Sequence, residues 1–174
     1  FKINNKYKID DLKVNSLMSL KNSKIASSQN LKGFFPKNND IIEFSNHQIQ
    51  IEYEKDFLKV KGSGNILLQK EIDNVKYNFS KSRENLKFDT LLEVKKNPFH
   101  INFLNYKKDR DHKLEMIILG NKNLLSNEIN LKNISIKEKD NKFEIKDLSL
   151  SNKNKIKSIS MIALSYLDDD FIKN

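Results

Sequence analysis

The sequence predicts an all-β protein whose strands form an antiparallel meander, bent into a curved, open, groove-like sheet. Apolar residues alternate with polar ones over most of the chain, as they do in strands with one buried face. Polar, turn-forming residues recur at roughly 8–14-residue spacing, and such short connections make neighbouring strands antiparallel. No stretch has the pattern of a helix long enough to cover the sheet. A β-sandwich or a barrel is the alternative, since either would bury the same apolar face.

Composition supports one ordered domain with a modest core. The chain has 174 residues, enough for a single domain, and 37% of them are apolar, below the usual share of about 45–50%. Aromatic residues at 9% argue against disorder. We therefore expect the apolar residues to lie mostly on one face. The absence of cysteine excludes disulfides, zinc–thiolate sites and a cysteine nucleophile.

The net charge of +9 raises the question of nucleic-acid binding. All 32 basic residues except Arg83 and Arg110 are lysine, whereas readout of base edges and bidentate phosphate contacts favours arginine. The lysines fall at outward strand positions and in turns. We therefore interpret them as a solvated face, and predict no nucleic-acid partner.

Along the chain, we treat residues 1–174 as one fragment of a longer protein, because it begins with Phe1 and ends on a polar run. Residues 1–40 form a less regular leading part, in which 16–28 fit a short helix or an irregular strand and 33–40 form a loop. Residues 41–163 carry the regular antiparallel strands, although 156–167 would also fit a helix. Residues 164–174 form a polar tail.

The most regular alternation lies in residues 57–70, FLKVKGSGNILLQK. One parity holds only apolar residues and glycine, namely Leu58, Val60, Gly62, Gly64, Ile66 and Leu68. This pattern predicts a half-buried strand. The two glycines indicate a sheet bend or a close backbone approach at its middle.

Turns and breaks frame the other strands. Lys55 and Asp56 predict a tight turn, as do residues 139–141. The apolar parity slips after Leu131 and again after Ile145, which predicts a bulge or a turn at each place. Residues 97–98 (Asn-Pro) end one strand, and residues 99–103 (FHINF) alternate as the next.

No motif for catalysis or metal binding is present. His47, His100 and His112 have none of the spacings of a metal site, and we expect them at the surface or rim. Residues 62–64 (Gly-Ser-Gly) lack the spacing of a phosphate loop, and residues 168–170 (three Asp) lack that of a calcium loop. The residues predict a protein that is not an enzyme and has no cofactor.

The block LKVKGSGNILLQKEIDNVKYNF, followed by FDTLLEV, NPFHINFLNYKK and INLKNISIKEKDNKFEIKDLSLSN, resembles the AsmA-like domains of large bacterial envelope proteins. The likeness covers residues 41–160 and consists of strands, turns and glycines. Members of this family are anchored in the inner membrane and form a repeating β-groove that carries phospholipid acyl chains across the periplasm. The resemblance implies a section of such a groove, with phospholipid and neighbouring groove segments of the same chain as partners. It also implies that membrane association is supplied by parts outside this fragment.

On this reading a set of inward-facing side chains lines the lipid groove: Leu58, Val60, Ile66, Leu68, Val75, Tyr77, Phe79, Leu86, Phe88, Leu92 and Val94. Gly62 and Gly64 would set its curvature. A Leu68→Asp change is then expected to block lipid occupancy without abolishing folding. The alternative function is a structural or protein–protein interaction domain of the envelope, which a sheet closed on its own side chains would favour.

Overall fold

The computed structural model describes residues 2–3, 9–10, 12–27, 31–108 and 110–165. Within them the secondary structure comprises fourteen strands and one 3-10 turn, η1 (Asn102–Leu104). The strands are β1 (Lys2–Ile3), β2 (Ile9–Asp10), β3 (Lys13–Ala26), β4 (Ile41–Glu54), β5 (Phe57–Leu67), β6 (Asp73–Lys81), β7 (Asn85–Val94), β8 (His100–Ile101), β9 (Tyr106–Lys107), β10 (Leu114–Asn123), β11 (Ile129–Glu138), β12 (Asn141–Leu150), β13 (Ile156–Ser158) and β14 (Met161–Ser165). None of the described residues belongs to a helix with the length and hydropathy needed to cross a bilayer.

Ten strands form one antiparallel sheet in the order β3-β4-β5-β6-β7-β10-β11-β12, and β13 and β14 both pair with β12. The sheet is open, with β3 at one edge and β13 and β14 at the other. The prediction of an all-β, open meander is therefore confirmed. Over the described residues, this sheet is neither closed into a barrel nor faced by a second large sheet.

The register separates two faces of the sheet. Val60, Phe79 and Phe88 stand directly opposite one another on β5, β6 and β7. The next row towards the start of β5 holds Lys59, Ser80 and Lys87, which project to the other side. We call the apolar side the inner face and the polar side the outer face. The alternation read from the sequence thus becomes one apolar surface shared by neighbouring strands.

The connection between β7 and β10 folds back over one end of the inner face. Residues 95–108, which we call the cap, contain β8, η1 and β9, and β8 pairs with β9 in a separate two-stranded sheet. The predicted sheet strand at residues 99–103 is therefore wrong. Phe99 and Ile101 are buried, but the chain then turns into η1 and leaves Phe103 exposed. A two-residue period in so short a segment does not show which sheet it joins.

The hydrophobic core lies beneath this cap. It joins residues of the cap, the 31–40 loop and the sheet: Phe35, Ile66, Leu68, Val75, Leu92, Val94, Phe99, Ile101, Tyr106, Leu114, Ile136 and Phe143. Phe99 packs edge-on against Phe35, with ring centroids 5.3 Å apart, and stacks on Phe34 at 6.1 Å. We call this the capped end of the sheet, and the opposite end the open end.

Two segments are more regular than the sequence indicated. Residues 13–26 form a single strand of 14 residues, so the alternative of a short helix is wrong and much of the leading part belongs to the sheet. Residues 156–158 and 161–165 are strands rather than a helix. Leu164 and Ser165 of the predicted tail belong to β14. The remainder of that tail, with the three-Asp run, lies outside the described residues.

Turns and bulges account for the breaks in alternation. Lys55 and Lys139 adopt positive φ angles of 52° and 50° in the β4–β5 and β11–β12 turns. The β10–β11 register shifts at Leu119 and Gly120, opposite the parity slip after Leu131. The second slip coincides with Asp147, whose φ is 49°. The first slip is therefore a β-bulge. The second is caused by the left-handed conformation of Asp147, and the β11–β12 register continues through it without a shift.

Candidate functional site

The predicted lining residues fall into two groups. Ile66, Leu68, Val75, Leu92 and Val94 are buried in the core at the capped end. Leu58, Val60, Tyr77, Phe79, Leu86 and Phe88 are only half-buried and lie towards the open end. The cap therefore covers the first group with the chain's own side chains. Only the second group presents an apolar surface that a ligand could cover.

Leu68 illustrates the difference. Its side chain is 4% exposed and packs within the core. A carboxylate at this position would be buried without a partner, which is strongly destabilising. We therefore expect Leu68→Asp to destabilise the fold, contrary to the prediction from the sequence, and a test of lipid binding needs a residue nearer the open end.

The half-buried group continues onto the second half of the sheet. Ile118, Ile134 and Ile145 are directly opposite one another on β10, β11 and β12. They extend the row that contains Tyr77 and Thr90. We call the part of this half-buried surface on β5 to β12 the trough: Leu58, Val60, Tyr77, Phe79, Leu86, Phe88, Ile118, Ile129, Leu131, Ile134, Ile145 and Leu150. The predicted lining did not include its β10–β12 members. The parity slip after Leu131 hides the phase of Ile134, Ile145 and Leu150, whereas Ile118, Ile129 and Leu131 precede it.

Both glycines of β5 lie beneath aromatic rings. A Cβ on Gly62 would meet the end of the Tyr77 ring at 2.4 Å, and one on Gly64 would meet the His47 ring at 2.3 Å. β5 itself runs unbroken through both positions. The irregularity lies in β4, where Asn46 has a φ of 54° and the register with β5 shifts between Ser45 and Gln48. Of the two readings of the glycines, the geometry shows the close approach.

His47 is a buried part of this arrangement rather than a surface residue, with 1% of it exposed. Its Nε2 lies 2.8 Å from the Asn65 carbonyl oxygen, which can only accept, so Nε2 donates. Nδ1 then faces the Tyr77 hydroxyl at 3.4 Å. Burial raises the pKa of Tyr77. The sequence offered no signal for this burial, because the bulge that turns His47 inward depends on the neighbouring strand.

A second group of buried polar side chains anchors the cap. Asp73 accepts hydrogen bonds from the Lys95 backbone N–H at 2.9 Å and from the Asn97 amide at 2.7 Å. Asn97 also bonds both the N–H and the carbonyl of Glu71, at 3.0 and 2.6 Å. Burial raises the pKa of Asp73, and these two donors, with the charges of Lys108 and Lys95, offset part of that rise. The carboxylate is thus occupied by structural donors.

Two further buried bonds hold the cap to the sheet. The Tyr106 hydroxyl donates to Glu138 on β11, and the Gln69 amide donates to the Pro98 carbonyl at 2.8 Å. Gln69 also accepts from the backbone N–H of Lys37 in the 31–40 loop, at 3.0 Å. The cap is therefore fastened at several points. In the described ranges no group of three or more His, Asp and Glu side chains is arranged to hold a metal ion.

The outer face carries paired charges. Lys59 lies 3.7 Å from Glu52, Lys113 lies 3.3 Å from Glu93, and Lys24 lies 2.8 Å from Glu43. Each of these exposed pairs contributes at most about 1 kcal/mol. They intersperse both signs of charge over the outer face, which differs from the uniform basic patch typical of nucleic-acid binding.

Fold and site together define the class of this protein as an open antiparallel β-sheet that is capped at one end and has an apolar trough at the other. No protein-family model matches the sequence, and no curated protein or solved structure is significantly similar to it. The resemblance to AsmA-like domains therefore stays a prediction.

Proposed function

We propose that this chain is a non-enzymatic section of a β-groove that holds phospholipid acyl chains. One observation carries the proposal: half-buried apolar side chains extend across six neighbouring strands of an open sheet, namely β5, β6, β7, β10, β11 and β12. Apolar surface in water costs about 2.5 kcal/mol per 100 Å2. An acyl chain lying on the trough would remove that cost, because it offers apolar contact without competing hydrogen-bond donors.

The edges of the sheet support a section of a longer groove. Val14 and Met18 on β3, and Ile162 and Leu164 on β14, are exposed apolar residues of the inner face. The apolar face therefore reaches both edge strands. In the setting implied by the AsmA-like resemblance, neighbouring groove segments would extend the sheet at these edges. The whole protein, anchored in the inner membrane, would carry phospholipid across the bacterial periplasm towards the outer membrane.

The mechanism under this proposal is passive. Acyl chains would slide along a continuous apolar lining, and no covalent step or cofactor is involved. The cap limits where this sliding occurs, because the residues beneath it are already covered by Phe99, Ile101 and Tyr106. The ligand surface is therefore the trough and the adjoining edges.

The test is native mass spectrometry of the protein purified from bacterial cells, with extraction and identification of any bound lipid. Wild type is expected to copurify with phospholipid. Phe79→Asp, which places a carboxylate in the trough, is expected to lose most of it. Ile117→Asp is the matched control, because Ile117 is an apolar residue of the same sheet on the outer face and is 36% exposed.

Equal lipid content in all three proteins would contradict the proposal, as would a lipid-free wild type. Circular dichroism and urea unfolding establish that each variant is folded. Val60→Asp, in the same row as Phe79 on the neighbouring strand, provides a second trough variant should Phe79→Asp not fold.

A second candidate function is protein–protein interaction through the β3 edge. The observation that favours it is Leu17, an outer-face residue of this edge strand that is 82% exposed. Exposed edge strands pair readily with strands of other chains. Concentration-dependent association in light scattering that is lost in Leu17→Lys, with lipid absent, would favour this function over the first.

A further inference from the structure

Two lysines of the sheet lie on the inner face rather than the outer face. Lys81 on β6 stands opposite Leu58 and Leu86, and Lys122 on β10 stands opposite Leu86 and Ile129. Directly opposite residues of antiparallel strands project to the same side. Both lysines therefore share the apolar side of the trough, in its last row at the open end.

Several outer-face lysines have carboxylate partners, whereas others, such as Lys61 and Lys87, form no ion pair among the described residues. Lys59, Lys113 and Lys24 each have a glutamate within ion-pair distance. Neither Lys81 nor Lys122 forms an ion pair with any residue in the described part of the chain. The trough thus ends in two positive charges that no carboxylate of the described sheet neutralises.

The inner-face carboxylates are too far away to do so. Asp73 and Glu138 lie at the capped end, and Asp73 begins the strand that Lys81 ends. At about 3.4 Å per residue, the length of β6 separates the two by roughly 27 Å. Charges separated by more than about 8–10 Å are largely screened at physiological salt. The open end of the inner face therefore carries these two lysines, and its buried acids lie at the other end. Asp56 and Glu128, in the turns at the open end, are already paired with Arg83 and Lys157.

The two ammonium groups are placed to share one anion. Lys81 on β6 and Lys122 on β10 flank Leu86 on β7. The two lysine-bearing strands are therefore separated by two inter-strand distances, or about 10 Å. Lysine has a flexible four-carbon stem that can reach across such a gap and bind a phosphate or carboxylate as a point charge.

We infer that the trough selects anionic amphiphiles, with the acyl chain along the inner face and the negatively charged headgroup held by Lys81 and Lys122. This inference rests on the proposed function, since it requires acyl chains to bind there. The distance from Lys81 to Val75, where the core begins, is roughly 20 Å along the strand. One leaflet of a bilayer holds acyl chains in about 15 Å, half of its hydrocarbon thickness. A single chain therefore fits between the lysines and the cap.

The test measures displacement of N-phenyl-1-naphthylamine, an uncharged dye that brightens in apolar surroundings. The competitors are oleate, oleoyl lysophosphatidate and uncharged monoolein, which share one acyl chain, and inorganic phosphate. The test variant is Lys81→Gln with Lys122→Gln. The control is Lys61→Gln with Lys87→Gln, which removes the same charge from exposed outer-face positions on β5 and β7, two strands apart as in the test pair.

We expect the test variant to bind oleate and oleoyl lysophosphatidate about tenfold more weakly than wild type, with dye and monoolein binding unchanged. The control should match wild type with all ligands. Each single lysine variant should show an intermediate loss, which keeps the test valid if the double variant does not fold.

Three results would overturn the inference. If the anionic ligands bind the test variant as tightly as wild type, the lysines do not select them, and the proposed acyl-chain function stands. If inorganic phosphate at equal concentration weakens dye displacement by oleoyl lysophosphatidate as strongly as the loss of both lysines does, the site takes free anions instead. If neither dye nor any acyl ligand binds wild type, the proposed function fails together with the inference.

Discussion

At the scale of single residues, the two β5 glycines differ in what stands above them. The nearest atoms to a Cβ on Gly62 belong to the far end of the Tyr77 ring, which can swing aside. A Cβ on Gly64 would also come within 2.8 Å of the His47 Cα, and backbone cannot move so easily. A side chain at Gly64 is therefore harder to accommodate than one at Gly62, although the two glycines look equivalent in the sequence.

We predict that Gly64→Ala destabilises the fold more than Gly62→Ala does. Overpacking of this kind costs about 1–3 kcal/mol, and the backbone contact places Gly64→Ala at the upper end. The free energy of unfolding in urea measures both. Gly62→Ala should become nearly neutral in a Tyr77→Val background, because the ring it collides with is gone. A Gly64→Ala protein as stable as wild type would refute the His47 contact.

Asp73 provides a pH-dependent prediction. Its pKa is raised in the folded protein, chiefly by burial, so the folded state holds this proton more tightly than the unfolded chain does. Its contribution to stability is therefore complete below the unfolded pKa and is lost as pH rises through the raised folded pKa. The stability of wild type relative to Asp73→Asn should fall over that interval, measured by urea unfolding at a series of pH values.

Glu115 is the control for this experiment, because it should behave in the opposite way. A hydrogen bond from Lys113 lowers the pKa of Glu115. Wild type should therefore gain stability relative to Glu115→Gln as pH rises, and lose that gain as pH falls through the lowered pKa. If both differences had the same sign, the assignment of the Asp73 effect to burial would be wrong.

At the scale of elements, the cap determines which part of the inner face is available. We predict that Phe99→Ala destabilises the protein by about 3–5 kcal/mol, because the ring is fully buried against Phe35 and Phe34. Phe103→Ala, in the same cap, should cost less than about 1 kcal/mol, since Phe103 is 74% exposed. Urea unfolding gives both values.

Hydrogen exchange separates loss of the cap from loss of the sheet. In Phe99→Ala the amides of β8 and β9 should exchange faster, and those of β10 to β12 should keep most of their protection. Uniformly faster exchange would mean that the cap and sheet unfold together, and that the cap is not a separate unit.

The strands were predictable because apolar and polar residues alternate within each strand, so the signal is local in sequence. The turn at Lys55 and Asp56 and the strand predicted over residues 57–70 are set by their own side chains. The structure has both, with the strand ending at Leu67. The cap was not predictable in this way. Phe99 and Ile101 have the same two-residue pattern as a sheet strand, and only the distant partners Phe35 and Gln69 determine that they fold over the inner face.

The candidate site was predictable only in part, for the same physical reason. Parity placed Leu58, Val60 and Phe79 together on one face, and the register confirms that they share it. Parity could not tell which members of that face would be covered by the cap, as Leu68 and Val94 are. Parity also did not identify Lys81 and Lys122 as inner-face residues. The face on which a lysine at the end of a strand lies becomes clear only when its partners on the neighbouring strands are known.

At the scale of the whole molecule, an open sheet with an apolar trough should be stabilised by whatever covers the trough. A ligand present at about 100 times its dissociation constant adds about 2.7 kcal/mol to the free energy of unfolding. For a chain of this size, that corresponds to a rise of roughly 5–10 °C in the melting temperature.

We therefore predict that submicellar oleoyl lysophosphatidate raises the melting temperature of wild type and of Ile117→Asp, followed by circular dichroism. Phe79→Asp should show little or no rise, because its trough carries a carboxylate. An equal rise in all three proteins would indicate binding elsewhere on the surface.

The order of strands in the sheet has a kinetic consequence. From β3 to β7, and from β10 to β12, every neighbour in space is also the next strand along the chain. Each half can assemble one hairpin at a time, with little loss of chain entropy at each step. The junction of β7 with β10 is different, because the chain between them must first be looped out. Replacing Leu92 or Met116, which face each other across this junction, should slow folding more than equivalent changes within either half.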